Sequence, residues 1–143
     1  MNRPNRPLLR AVLPLALMGV IFFLSAQPAA GHYPWWEVGL RKLGHVTGYA
    51  LLTAGWWWAL RGVTGRPLLW AIGISLAYAC TDEYHQTFVR GREGTPRDVL
   101  IDAIGMAIAA LLINRINRRP RGAKTKPGQD AGRLGKRAYE SGT

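Results

Sequence analysis

A chain of 143 residues with 19 Lys and Arg against 8 Asp and Glu, formal net charge +11, has room for one domain and a tail. Its single cysteine, Cys80, excludes an internal disulfide framework and a thiolate zinc cluster. So basic a balance implies an anionic partner, membrane surface or nucleic acid, and the placement of the charges decides between them.

The mean hydropathy of -0.02 hides an uneven distribution. Apolar residues crowd into 8–116, a candidate domain, and 117–143 forms a polar, basic, Gly-rich tail. The first element is the run 8–26, LLRAVLPLALMGVIFFLSA, behind Arg3, Arg6 and Arg10. A signal peptide begins in the same way, but cleavage after Ala30 would place Pro28 at the minus-three position. The run is long enough to cross a bilayer, so a retained anchor is expected, with a mild kink at Pro14 that neighbouring helices absorb.

Three shorter charge-poor runs follow, 46–60, 67–81 and 99–113, the last enclosing Asp102. About 15 residues make about 22 Å of helix, short of a hydrocarbon core about 30 Å thick. Each reaches spanning length once its polar shoulder is added: 42–60, 67–88 and 98–115. A soluble helical core is the alternative. Against it, these runs are apolar around their whole circumference. Trp56, Trp57, Trp58 and Trp70 also gather near one expected interface, with Trp35 and Trp36 near the other. The expected fold is all-α: four transmembrane helices and a disordered basic tail. Cys80, inside the third apolar run, is expected to be a small buried side chain.

Up-and-down connection of four helices brings particular ends together. Ser25 and Gln27, Lys42 and His45, Asp82 to Gln86, and Asp98 with Asp102 would share one polar mouth. Fourteen of the 19 basic residues lie on the side of the termini and five on the side of the mouth. The excess, which rests on the tail and the N-terminal arginines, predicts cytoplasmic termini in a multi-pass cell-membrane protein and an outward mouth.

Helical spacing puts Lys42, His45 and Tyr49 on one face, and Tyr78, Asp82, His85 and Gln86 on another, with Glu83 turned away from Asp82 by about 100°. Asp98 and Asp102 stack above Gly105 and Ala109, small residues that allow close helix approach. Ionisable groups at membrane depth face the bundle interior and are paired or wetted. Asp98 or Asp102 is therefore expected against Lys42 or His45, with Gly105 permitting the approach. Simple ion pairs, Asp98 or Asp102 with Lys42 and Asp82 with Arg90 or Arg92, are the plainer reading. Arg90, Arg92 and Arg97 in one short loop also suit an anionic ligand such as a lipid headgroup.

A catalytic reading would use His45 or His85 as general base beside Asp82 or Glu83, with Arg90 or Arg92 facing an oxyanion. It lacks a nucleophile, since Ser75 lies mid-helix among apolar residues. A transporter using Asp102 would have little room for alternating access in four short helices. His45, His85, Asp82, Glu83, Asp98 and Asp102 are all possible metal donors, but no HExxH-like motif is present, and neither a metal nor a cofactor is expected. From residue 114 onward the chain cannot build a core, and beside a membrane helix it is expected on anionic lipid rather than on nucleic acid. The oligomeric state is not legible.

The run DEYHQTFVRGREGTPRDVLIDAIG (82–105) resembles the signature of the VanZ-like membrane family, named for a protein of teicoplanin resistance. FFLSAQP closing the first helix and KLGHVTGYALL opening the second agree with it, so the resemblance covers 21–113 in order. It implies a small multi-pass bacterial envelope protein, linked in one member to lowered glycopeptide susceptibility. The family pattern falls on Lys42, His45, Tyr49, Asp82, Glu83, His85, Gln86, Gly91, Arg92, Asp98, Asp102 and Gly105. Arg90 stands where the family usually has proline, and Thr95 where it commonly has serine.

Overall fold

Four helices and no named strand make up the described residues: α1 (Arg6–Ser25), α2 (Trp35–Leu60), α3 (Pro67–Gln86) and α4 (Pro96–Arg118). This computed structural model describes residues 6–29 and 34–118. Helix number and order agree with expectation, but two boundaries differ. The second helix opens at Trp35, about two turns ahead of Lys42, because Glu37 complements the dipole of the first turn and pairs with Arg41 at 3.3 Å. The fourth continues through 114–118, where the tail was expected to begin. Arg115 and Arg118 face the negative end of its dipole. Residues 119–143 of the expected tail lie outside the described residues.

The start of α4 is a capping motif in TPRD. The Thr95 hydroxyl donates to Asp98 Oδ2 at 2.8 Å and accepts the Asp98 backbone N–H at 3.3 Å, with Pro96 at the first helical position. Serine could form the same bonds, so the Ser-to-Thr difference from the family is conservative here.

The second helix packs on all three others and most extensively on α4. Pro14 of α1 is buried, and its side chain lies against Gly55 of α2. A small apolar cluster of Tyr49, Leu52, Ala79 and Met106 occupies the centre. Around it the polarity is inverted. Ser25, Asp82, Glu83, Gln86 and Asp102 are buried, whereas Leu8, Phe23, Leu51, Trp58, Leu69, Trp70, Leu100 and Leu111 stand exposed on the outside of all four helices. Cys80 is exposed on that outer surface, not buried as its apolar surroundings in the sequence led us to expect. An apolar run that is lipophilic on every side does not reveal which side meets the core. Among the described residues two helices, with spans Leu8–Ser25 and Pro96–Arg118, are long and apolar enough to cross a membrane.

The α2–α4 contact is closest at Gly105. A Cβ there would collide with the Val46 backbone carbonyl, an obstacle that no rotamer can move. Gly105→Ala should destabilise the protein by about 3 kcal/mol and Gly105→Leu by more. Gly73→Ala, where a Cβ meets only open space, should be neutral or slightly stabilising. Thermal unfolding in detergent checks both.

Candidate functional site

The last turns of α1 and α3 and the facing parts of α2 and α4 hold two sets of polar contacts side by side, the His45–Asp102 pair and a hydrogen-bonded group around Asp82, Glu83 and Gln86. Asp102 is 0% exposed, and its Oδ1 lies 3.0 Å from His45 Nδ1. That contact meets the expectation of a direct aspartate–histidine approach between α2 and α4. On α3, Asp82 Oδ2 accepts from the Ser25 hydroxyl at 2.8 Å and from Gln86 Nε2 at 3.1 Å. The same Gln86 nitrogen donates to Glu83 Oε1 at 3.0 Å, while Glu83 Oε2 accepts the Thr95 backbone N–H at 3.1 Å. The carboxylates of Asp82 and Glu83 thus meet neutral donors, and that of Asp102 meets an imidazole.

Arg92 closes the network from the loop. Its Nη1 donates to Gln86 Oε1 at 3.2 Å. Nε and Nη2 donate to the backbone carbonyls of Gln27 and Leu24, each at 2.9 Å, so the guanidinium caps the C-terminal end of α1. Asp82 therefore contacts Arg92 through Gln86 rather than as the ion pair weighed from the sequence. The turn before Arg92 explains the Gly91–Arg92 step in mechanical terms. Gly91 has φ +75°, the sign that the third position of a type II turn requires, and Arg92 N–H closes the turn onto Val89 O at 3.0 Å. Arg90 occupies the second position, where proline is favoured, and any residue of that backbone shape can replace it. The missing Cβ of Gly91 admits the Ala29 carbonyl, and Ala29 N–H bonds Arg90 O at 3.0 Å. These contacts staple the α3–α4 loop to the end of α1.

Other candidates separate. Lys42 is exposed, and Asp98 bonds Thr95 rather than Lys42. Lys42 and Asp98 nevertheless share a pocket of about 140 Å³ with His45, Glu83, Gln86 and Arg92. Arg90 is exposed and does not line it. His85 packs its ring 4.5 Å from that of Phe22 on α1, which sets it apart from the His45 cluster. Below the network, the His45 and Tyr49 rings stack at 6.4 Å and Tyr49 approaches Tyr78 at 6.3 Å, while Tyr78 donates its hydroxyl proton to Met18 O at 2.6 Å.

A second, larger cavity of about 470 Å³ opens between α1 and α2. Ile21, Leu24, Leu40, Gly44 and Gly48 make its apolar walls, and Ser25, Gln27, His45, Arg92 and the Glu37–Arg41 pair make its polar end. His45 borders both cavities. The role of Ser25 escaped the sequence reading as a specific contact, although its place near the mouth was foreseen. Finally, one nitrogen of His45 and one oxygen each of Asp82 and Glu83 lie within 4.8 Å of one another, a donor set that could hold a metal ion.

An all-helical chain with an apolar exterior, two spans of membrane-crossing character and a buried polar network is a membrane-protein architecture. The family model described as VanZ/LLP1 matches residues 11–117, and the chain belongs to that family. Comparison with curated proteins and with solved structures finds no match.

Arg92→Lys should cost about 2–4 kcal/mol, since an ammonium cannot serve the two α1 carbonyls and Gln86 from one planar fork. Arg90→Ala should stay within about 0.5 kcal/mol of the parent. Chemical unfolding of the purified protein separates the two outcomes.

Proposed function

We propose that this is a multi-pass bacterial envelope protein that binds the anionic headgroup of a lipid, a cell-wall lipid precursor or a phospholipid, at an outward-facing mouth. The cavity between α1 and α2 carries this reading. It is apolar along its walls and ends beside Arg92, His45 and Arg41, the last paired with Glu37 at 3.3 Å, the form an amphiphile with a charged head would fill. Lys42 adds a cation in the neighbouring pocket. Four transmembrane passes are supported by helix lengths of 20, 26, 20 and 23 residues and by apolar outer faces on every helix. The shortest of these is about 30 Å long, enough for a hydrocarbon core. The excess of basic residues beside the termini supports cytoplasmic ends. A link to glycopeptide resistance comes from the family resemblance alone.

A second reading is supported by the Asp102–His45 pair. With Nδ1 held by a carboxylate, the imidazole has Nε2 available as a general base toward a headgroup. The protein would then be a membrane enzyme acting on that lipid.

Lipid mass spectrometry of gently purified protein should find a copurifying phospholipid or pyrophosphoryl lipid. Lys42→Ala is expected to reduce its retention several-fold. A binder shows no turnover of that lipid, an enzyme shows turnover that His45→Ala abolishes, and purification without any anionic lipid would contradict both. For topology, Cys80 is first replaced by alanine. A cysteine at position 90 should then label from outside, and one at position 125 only after permeabilisation; the reverse pattern would end the outward-mouth reading.

A further inference from the structure

We propose that His45, Asp82 and Glu83 bind one first-row divalent metal ion, with Asp102 holding the imidazole in the tautomer that coordinates. The inference concerns the ion alone and does not need a bound lipid.

Three observations converge on it. The first is proximity: three donor atoms from α2 and α3 lie within 4.8 Å of one another. Ligands about 2.1 Å from a tetrahedral ion stand about 3.4 Å apart, so the side chains need to close by at most about 1.4 Å. The second is an unused acceptor. Asp82 is 1% exposed, and its Oδ1 has no hydrogen-bond partner among the described residues, although Oδ2 has two. A buried carboxylate oxygen without a donor is costly, and a cation offers the compensation that the protein leaves out.

The third is the surrounding shell. A metal-bound histidine commonly donates its other ring N–H to a carboxylate, and ligating carboxylates are themselves hydrogen-bonded. Here Asp102 takes Nδ1 of His45, which leaves Nε2 for the ion. Ser25, Gln86 and the Thr95 backbone orient the carboxylates of Asp82 and Glu83.

One imidazole with two carboxylates suits Zn²⁺ or Mn²⁺ better than Cu⁺, which wants sulfur, or Ca²⁺, which wants oxygen throughout. The pocket bordered by His45 and Glu83 gives the ion an entry path and leaves room for water or an anionic group on its open side.

The test uses the full-length protein, purified in detergent and stripped with chelator, then titrated with Zn²⁺ and with Mn²⁺ alone. One ion per chain is expected. His45→Ala, Asp82→Asn and Glu83→Gln should each weaken binding at least tenfold, and Asp102→Asn about 10–100-fold. Glu93→Gln, in the exposed loop, should leave it unchanged. Should a ligand variant fail to fold, the parent protein loaded with Mn²⁺ still decides: spin-echo spectroscopy should show one imidazole nitrogen coupled to the ion. Absence of stoichiometric binding, binding indifferent to the three ligand variants, or an Mn²⁺ signal without nitrogen coupling overturns the proposal. Because no lipid enters this titration, its failure leaves the headgroup reading to its own experiment.

Discussion

The 3.0 Å contact between His45 Nδ1 and Asp102 Oδ1 is the constraint on which the polar centre depends. It joins α2 to α4 where a carboxylate is 0% exposed, and an isolated charge there would cost several kcal/mol. The pair forms only because Gly105, nearly one turn further along α4, has no Cβ to strike the Val46 carbonyl. Backbone approach and polar contact therefore support each other. Separating the helices exposes the aspartate, and removing the aspartate's partner weakens the reason for the approach.

The rest of the network adjoins that joint. The α3 carboxylates stand beside the pair, Gln86 bridges them to Arg92, and Arg92 ties them to the open carbonyls of α1. In consequence the end of one helix, the middle of another and a loop report on a single cluster. A perturbation at Arg92 should reach Asp82 through Gln86 without any change of charge at Asp82. Although His45 and Glu83 border an open pocket, the inverted polarity, with carboxylates inside and Leu, Phe and Trp outside, leaves Asp82 and Asp102 almost fully buried. Electrostatic contacts gain strength there, and unsatisfied ones become expensive.

Much of this was legible in the sequence, for identifiable reasons. The length of the charge-poor apolar runs revealed the four helices, and helical spacing the sharing of a face by Asp102 and Gly105, because both depend on positions within one helix. The family resemblance singled out residues that the fold brings near one another. What was hidden depended on partners distant in the chain or on backbone geometry. The position of Arg92 looked like a ligand cation, and only the end of α1 reveals its capping role. His45 and His85 were equivalent candidates until packing set one beside Asp102 and the other beside Phe22. The exposure of Cys80 was unreadable because its neighbours are apolar on every side. The capping bonds of Thr95 follow from TPRD only once Pro96 is known to open a helix, because the same four residues also suit a loop turn.

A double-mutant cycle on His45→Gln and Asp102→Asn, read by unfolding free energy in detergent, tests the joint most directly. The account predicts a coupling energy of about 1–3 kcal/mol, because each single change strands a buried polar group and the pair together strands fewer. Additive single and double effects, within about 0.3–0.5 kcal/mol, would contradict it and leave α2 and α4 held by packing alone.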